Sequence, residues 1–248
     1  MTLVICMAGL NTRFHDVGFD IPKYLLPWGE HTIIAEIISQ FQKSYKFEQI
    51  LLLANKRDTY FKKKLLDSIS PLGLDETSVY YIGDTTGQAH TASIGAQLAK
   101  NPSVPLVVHN ADTIVTGRDF TKILADLQSN DAHIDVFIAN NPKYCYLRTH
   151  DNKVIEIVEK QAISPYASSG LYSFKNSTVY LDNYHSAANG FGGKELYVSN
   201  VLAHMLADGL RLVTNALDNY SETIVLGSPQ EYGLELAKKS LNENDNQT

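Results

Sequence analysis

The chain has 248 residues, and 21 Lys and Arg against 27 Asp and Glu give it a formal net charge of −6. This acidic balance argues against general binding to nucleic acids or anionic membranes, because such partners recruit basic surfaces. No stretch approaches the roughly 18 apolar residues of a membrane span, and the apolar start lacks the basic segment of a secretory signal. Two cysteines without a CxxC pair suit a reducing compartment. We therefore expect a cytoplasmic protein.

The first part of the chain alternates between short β-branched runs and helical patterns. Apolar runs predict strands of a parallel sheet at residues 2–7, 49–53, 78–82, 105–109 and 134–139. Helical patterns predict intervening helices at residues 33–41, 57–69, 88–99 and 120–127. This order predicts an α/β fold with a mostly parallel central sheet flanked by helices. Residues that follow strands deserve most functional weight, because ligands bind at the carboxyl ends of such strands.

From Pro142 the pattern changes. Turn-forming residues at 150–152 predict a hairpin of strands, and further strands are predicted at residues 168–174, 210–214 and 223–226. A helix over residues 195–207 should stop at Gly209, and Pro229 should open a last helix that ends near residue 239. We expect one domain over residues 1–240, with a small β insertion in its second half, and a flexible polar tail at residues 241–248.

The turn after the first strand has the chemistry of an anion site. Gly9 allows a ligand close to the backbone, and Asn11 tolerates a positive φ. Successive amides in such a turn can bind an anion, and Arg13 adds a charged fork suited to phosphate oxygens. The alternative is a plain turn in which Arg13 and Lys23 are solvated. A GxGxxG dinucleotide site is a poor match, since Asn11 and Phe14 stand at glycine positions.

Two later segments also follow strands. Gln88, after Gly87, offers both a donor and an acceptor suited to a base edge, although Thr85 or Thr86 could instead cap the helix. Asp112 follows an apolar strand as a lone carboxylate, and Mg²⁺ prefers one or two carboxylates together with substrate phosphates and water. The alternative for this aspartate is a helix cap or an Asx turn.

Together these segments resemble the signature of the sugar-phosphate nucleotidyltransferase family, whose N-terminal pattern is G-x-G-[ST]-R…P-K. The positions occur here in order, with asparagine at the second glycine, as Gly9, Asn11, Thr12, Arg13, Pro22 and Lys23. The resemblance implies the Rossmann-like nucleotide-diphospho-sugar transferase fold. It also implies a nucleotide-binding half at residues 1–141 and an acceptor-side half at residues 142–240.

The resemblance implies a role for each matching residue. Arg13 would contact the β- and γ-phosphates, Lys23 the transferring phosphate, and Asp112 a catalytic Mg²⁺. The implied nucleotide-binding residues are Ala8, Gly9, Leu10, Asn11, Thr12, Gly87, Gln88 and Asn110. The implied acceptor-binding residues match a Glu-Lys pair, a glycine-containing strand and a helix-opening glutamate, namely Glu159, Lys160, Gly170 and Glu195. From local sequence alone, the Glu-Lys pair could equally be an exposed salt bridge on the hairpin.

One position departs from the family. Many members place a second metal-binding aspartate two residues before the glycine of a late G-T-P-E-D segment, and here Val225 precedes Gly227. Asp218 or Glu222 could substitute, or Asp112 and the triphosphate could hold the ion together with water. Weak or absent catalysis is a further alternative.

The implied function is to join an NTP to a sugar 1-phosphate or a similar small phosphorylated metabolite, with release of pyrophosphate. Short chains of this kind resemble bacterial capsule and surface-polysaccharide enzymes, and family members often dimerise. One alternative is a glycosyltransferase, although its D-x-D motif is Asn110-Ala111-Asp112 here. Another is a nucleotide-binding subunit without strong catalysis. The base and the acceptor are left open, among CTP, UTP, dTTP or GTP and a hexose 1-phosphate or choline phosphate.

Overall fold

A computed structural model describes residues 1–214 and 222–245. The strands are β1 (Thr2–Met7), β2 (Pro27–Trp28), β3 (His31–Thr32), β4 (Gln49–Asn55), β5 (Val79–Ile82), β6 (Leu106–Asn110), β7 (Thr113–Thr116), β8 (Ala132–Ile138), β9 (Cys145–His150), β10 (Lys153–Glu159), β11 (Tyr166–Phe174), β12 (Leu212–Val213) and β13 (Glu222–Val225). The α-helices are α1 (Thr12–His15), α2 (Ile33–Ser44), α3 (Lys62–Ile69), α4 (Gln88–Gln97), α5 (Phe120–Ser129), α6 (Ser177–Asn189), α7 (Val198–Ala207) and α8 (Pro229–Asp245).

Nine strands form the central sheet, in the order β5-β4-β1-β6-β11-β8-β12-β10-β9. The first four are mutually parallel. Strand β11 runs antiparallel to β6 and β8, and β10 runs antiparallel to β12 and β9. In the described sheet only β10 and β11 oppose the common direction, which confirms the predicted mostly parallel sheet flanked by helices. The predicted hairpin is β9–β10, and Asp151 and Asn152 in its turn have positive φ.

Helices cover both faces of the sheet because the inner strands are apolar on both sides. In β1, Leu3 and Ile5 join the buried cluster that contains α2 and α5, whereas Val4 joins the cluster that contains α4, α6 and α7. Successive side chains of a strand point to opposite faces, so one strand serves two cores. Helix α4 approaches β1 closely at Gly95, where a Cβ atom would lie 2.5 Å from the Val4 side chain.

Several elements differ from the predicted ones. The helix predicted at residues 57–69 begins as a 3₁₀ helix, Lys56–Phe61, and only then becomes α3. Helix α6 has no predicted counterpart; its most buried large side chains are Tyr180 and Tyr184, so it lacks an aliphatic stripe. Helix α7 starts at Val198, three residues later than predicted. Helix α8 passes residue 239 and continues to Asp245, into the predicted tail, whose last residues, 246–248, lie outside the described residues.

In the described parts of the chain, no helix combines the length and the apolar character needed to cross a lipid bilayer.

Candidate active site

The residues predicted for the site surround one cleft of about 720 Å³ at the carboxyl ends of β1 and β6. All fifteen of them line it: Ala8, Gly9, Leu10, Asn11, Thr12, Arg13, Lys23, Gly87, Gln88, Asn110, Asp112, Glu159, Lys160, Gly170 and Glu195. The fold therefore brings together segments that are far apart in the sequence. Their individual roles remain predictions.

The first loop of the cleft depends on Asn11. This residue adopts the left-handed conformation, with φ 58° and ψ 20°, and forms the N-cap of α1. Its side-chain amide donates to the carbonyl of Ile21, 3.3 Å away, which connects the loop to the segment that carries Lys23. Phe14 of α1 is buried and packs edge-on against Phe19. The positive φ predicted for Asn11 is thus present, and it turns the chain from β1 into α1.

Lys23 and Asp112 meet in the cleft. The Lys23 ammonium donates to Asp112 Oδ2 at 2.5 Å, and the side chains are 25% and 20% exposed. Burial alone would raise the pKa of Asp112, but the charge and hydrogen bond of Lys23 outweigh it and lower that pKa below its usual value. The alternative of a solvated Lys23 is therefore wrong. Asp112 caps no helix, because β7 follows it and Asp119 caps α5.

The predicted base-reading side chain is fixed by its neighbours. Gln88 donates from its amide nitrogen to Asn110 Oδ1. Asn110 in turn lies against Gly170, which has φ 82° at a bulge of β11, and a Cβ atom at Gly170 would overlap the Asn110 amide. Glycine is therefore required at this position. These contacts hold the side-chain amides of Gln88 and Asn110, both predicted to bind the nucleotide, beside Gly170, which is predicted to bind the acceptor.

The start of α4 packs against the segment that precedes α7. The Leu196 amide donates to the carbonyl of Thr86 at 2.8 Å, and the amide of Ala89 donates back to the Leu196 carbonyl at 3.0 Å. Gly87, with φ 131°, is the N-cap of α4, and neither Thr85 nor Thr86 caps the helix through its side chain. Because Leu196 makes these two backbone hydrogen bonds and Tyr197 is extended, α7 begins later than predicted.

The acceptor-side residues pair with α7 and the segment before it. Ser199 donates to Glu159 Oε2 at 2.5 Å, and the Lys160 ammonium donates to the Tyr197 hydroxyl at 2.6 Å. That hydroxyl donates to Glu195 Oε2, also at 2.6 Å. Burial raises the pKa of Glu159, and the Ser199 hydrogen bond and the Lys160 charge only partly oppose it. Glu159 and Lys160 thus bind residues outside the hairpin, and these contacts include no salt bridge between the two, which was the alternative from local sequence.

Among the cleft residues outside the predicted set, Lys143, Tyr144 and Glu231 contact one another. The Lys143 ammonium donates to Glu231 Oε1, and the Tyr144 hydroxyl lies 3.4 Å from the same oxygen. Burial alone would lower the pKa of Lys143, but the hydrogen bonds and charge of its neighbours raise it above the usual value. Glu231 ends the segment Gly227–Glu231, which resembles the late G-T-P-E-D segment, and Ser228-x-x-Glu231 is in itself typical of a helix start.

A buried ion pair lies behind the cleft. Arg118 Nε and Nη2 donate to the Asp135 carboxylate at 2.8 to 3.1 Å, and both side chains are under 10% exposed. Arg118 Nη1 also donates to the carbonyls of Thr116 and Glu222. Ser169, next to Gly170, donates to Asp135 at 2.5 Å. The pair thereby connects β7, β8, β11 and β13.

The carboxylates of the cleft suit a small divalent ion of the kind that also binds phosphate oxygens. No group of three or more His, Cys, Asp and Glu side chains in residues 1–214 and 222–245 is arranged as a metal site. Two carboxylates do border the space beside Gly227: a Cβ atom there would lie 3.3 Å from Asp112 Oδ2 and 3.7 Å from Glu231 Oε2. Mg²⁺ is commonly held by one or two carboxylates and completes its shell with phosphates and water.

A mostly parallel sheet with a polar cleft at its strand ends defines a ligand-binding α/β protein. The family model described as nucleotidyl transferase matches residues 3–220 of this chain. The protein therefore belongs to the nucleotidyl transferase family, which confirms the predicted class of enzyme.

Similar proteins agree with this assignment. A structure described as the nucleoside-diphosphate-sugar pyrophosphorylase from Vibrio cholerae RC9 is 25% identical, with a TM-score of 0.82 over 95% of this chain and 99% of that one. A UDP-glucose pyrophosphorylase complexed with UDP-glucose has the same fold, with 18% identity and a TM-score of 0.74 over 98% of both chains. The bifunctional protein GlmU of Mycobacterium sp. (strain KMS) is 24% identical over 88% of this chain, which spans 44% of its length.

Proposed function

We propose that this protein joins an NTP to a small phosphorylated acceptor, such as a sugar 1-phosphate, and releases pyrophosphate. The observation that carries the proposal is the Lys23–Asp112 pair, which lines one cleft with the Gly9–Arg13 loop and with Glu159, Lys160 and Glu195. In this proposal residues 1–141 bind the nucleotide and residues 142–240 bind the acceptor. The names of the Vibrio cholerae and UDP-glucose pyrophosphorylase structures support this substrate class.

The proposed chemistry needs no general base. An acceptor phosphate oxygen, already ionised at neutral pH, attacks the α-phosphorus of the NTP, and the bond to the bridging oxygen breaks to release pyrophosphate. Catalysis then rests on alignment and on neutralising charge. Arg13 and the loop amides hold the leaving phosphates, and Lys23 contacts the α-phosphate. A Mg²⁺ ion bound at Asp112 would neutralise phosphate charge.

Substrate selection is divided between the two sides of the cleft. The amide of Gln88, held by Asn110, faces the nucleobase in this proposal. Lys160 neutralises the acceptor phosphate, and Glu159 and Glu195 accept hydrogen bonds from acceptor hydroxyls or other polar groups. The resemblance of short chains of this kind to bacterial capsule and surface-polysaccharide enzymes supports a role in making precursors of such polysaccharides, and we expect that role to be cytoplasmic. Assembly as a homo-oligomer stays a prediction.

A pyrophosphate-release screen tests the proposal by crossing CTP, UTP, dTTP and GTP with hexose 1-phosphates and choline phosphate. We expect release with one base and one acceptor class, and loss of the Mg²⁺ response in Asp112→Asn. Normal Mg²⁺ dependence in that variant would remove Asp112 from the site. Sugar transfer without pyrophosphate would identify a glycosyltransferase, and NTP binding without turnover on any acceptor would identify a non-catalytic subunit.

A further inference from the structure

This chain has no carboxylate at the position where many family members have a second metal-binding aspartate. Val225, which occupies it, lines the cleft and pairs with Thr113, the neighbour of Asp112. The sequence suggests Asp218 or Glu222 as a substitute. Glu222 pairs with Thr116 at the far end of β13, roughly 10 Å along the strand, and does not line the cleft. Asp218 lies outside the described residues.

A carboxylate does reach this place from the first turn of α8. Glu231 lines the cleft, and its Oε2 borders the same space beside Gly227 as Asp112 Oδ2, at 3.7 and 3.3 Å from a Cβ atom built on that glycine. A side chain at position 227 would therefore place its Cβ atom against both oxygens. The backbone keeps this arrangement in register, because the amide of Leu226 donates to the Asp112 carbonyl at 2.7 Å.

Each of these carboxylates already binds a cation. The Lys23 ammonium lies on Asp112 and the Lys143 ammonium lies on Glu231. Two carboxylates, each with an ammonium group as its partner, lie in a cleft that also holds Arg13, and carboxylates together with phosphate oxygens are the ligands that Mg²⁺ prefers. A divalent ion shared by the two carboxylates would free both lysines to contact phosphate oxygens, which is a use for Lys143 that helix capping does not explain.

We propose that Glu231 replaces the missing aspartate and, together with Asp112, binds the divalent ion that accompanies the NTP. This inference rests on the proposed function. The competing explanation is structural: Ser228 donates to Glu231 Oε2 at 2.7 Å, and the Glu231 amide donates back to Ser228 Oγ at 3.3 Å, as in a helix start. Glutamine serves a capping box as well as glutamate does, whereas it is a poor Mg²⁺ or Mn²⁺ ligand beside one carboxylate.

The test is the affinity for Mn²⁺, measured by electron paramagnetic resonance of the free ion in the presence of inorganic pyrophosphate. We expect Glu231→Gln to weaken Mn²⁺ binding by about tenfold or more, with only a small fall in the urea midpoint, because the cap is retained and only the partly exposed ion pair with Lys143 is lost. The control is Glu235→Gln, one turn further along α8, where the glutamate pairs with Lys238. We expect that variant to bind Mn²⁺ like the wild type.

The chain also offers a rescue. Adding Val225→Asp to Glu231→Gln returns a carboxylate to the family position, and we expect the double variant to recover most of the lost Mn²⁺ affinity. Wild-type affinity in Glu231→Gln, with affinity lost in Asp112→Asn and normal pyrophosphate release by the wild type, would overturn the role of Glu231 and leave the proposed function standing. A wild type that neither binds Mn²⁺ nor releases pyrophosphate would overturn both.

Discussion

Among single residues, Lys23 has the clearest expected effect on catalysis. Its ammonium contacts Asp112 and lines the cleft, so Lys23→Ala removes one positive charge from the proposed reacting centre. We expect turnover to fall roughly 10²-fold, the usual loss for one charge-stabilising donor. Initial rates of pyrophosphate release at saturating substrates measure it. Lys62→Ala, which breaks an exposed pair with Glu76, is the control. Unchanged turnover in Lys23→Ala would refute its role.

The site could be predicted from sequence where a residue follows a strand or fits a local backbone rule. Asn11 was identified by its tolerance of positive φ, and Asp112 by its place after an apolar strand. Lys143 and Glu231 could not be found in this way, because neither directly follows a predicted strand and their pairing exists only in the folded chain. Tyr197, which joins Lys160 to Glu195, was missed for the same reason.

His109 is expected to make folding sensitive to acid. It is fully buried, and its Nε2 donates to the Thr113 carbonyl at 2.7 Å. Burial lowers the pKa of His109 from 6.5 to about 4, although that hydrogen bond and the charge of Asp112 partly oppose the shift. Between these values the unfolded chain binds the proton more readily. The stabilising contribution is therefore complete above pH 6.5 and is lost as the pH falls towards 4, by about 3 kcal/mol.

The variant that isolates this effect is His109→Gln, since glutamine can still donate to Thr113 but does not titrate. We expect the free energy of unfolding of the wild type to decline more steeply than that of the variant between pH 6.5 and pH 4. Urea unfolding at several pH values in this interval measures both curves. Parallel curves would show that His109 does not carry the acid sensitivity.

At the scale of elements, the sequence predicted best where apolar periodicity is strong. The strands β1, β4 and β6 are almost wholly buried, and their apolar runs made them evident. Helix α6 was missed because tyrosines, and not aliphatic residues, form most of its buried face. The start of α7 was misplaced because Leu196 pairs with the backbone of Thr86 and Ala89 instead of joining the helix. Hydrogen bonds to a distant part of the chain therefore set the start of α7, and such bonds cannot be predicted from the local sequence.

That junction between α4 and the segment before α7 gives a test. A Cβ atom at Gly87 would lie 2.5 Å from the Leu196 carbonyl oxygen, and its φ of 131° suits only glycine. We expect Gly87→Ala to destabilise the fold by about 1–3 kcal/mol and to weaken NTP binding at least tenfold. Urea unfolding and calorimetry measure the two effects. Gly83→Ala is the matched control, because no atom lies within 4 Å of its Cβ position. Equal behaviour of the two variants would contradict the prediction.

Across the whole molecule, the cleft depends on contacts between the two halves of the chain. Strand β11, from the second half, inserts between β6 and β8 and carries Gly170 to Asn110. Within the second half, the Lys143–Glu231 and Tyr197–Lys160 contacts line the same cleft. In the proposed function, a nucleotide bound to the first half would lie beside side chains of the second half. For this reason we expect the stability of the fold and the geometry of the cleft to change together.

The buried Arg118–Asp135 pair is where this dependence can be measured. Arg118→Met leaves the Asp135 carboxylate buried without its cation, and we expect a loss of about 3–5 kcal/mol in the free energy of unfolding. Arg148→Met, which breaks the half-exposed pair with Glu156, should cost under about 1 kcal/mol. Adding Asp135→Asn to Arg118→Met removes the unpaired charge and should recover part of the loss. Urea unfolding of the four proteins measures these differences, and similar losses in the two single variants would show that the buried pair, which reaches the second half through Ser169 and Glu222, contributes no more to stability than the half-exposed pair.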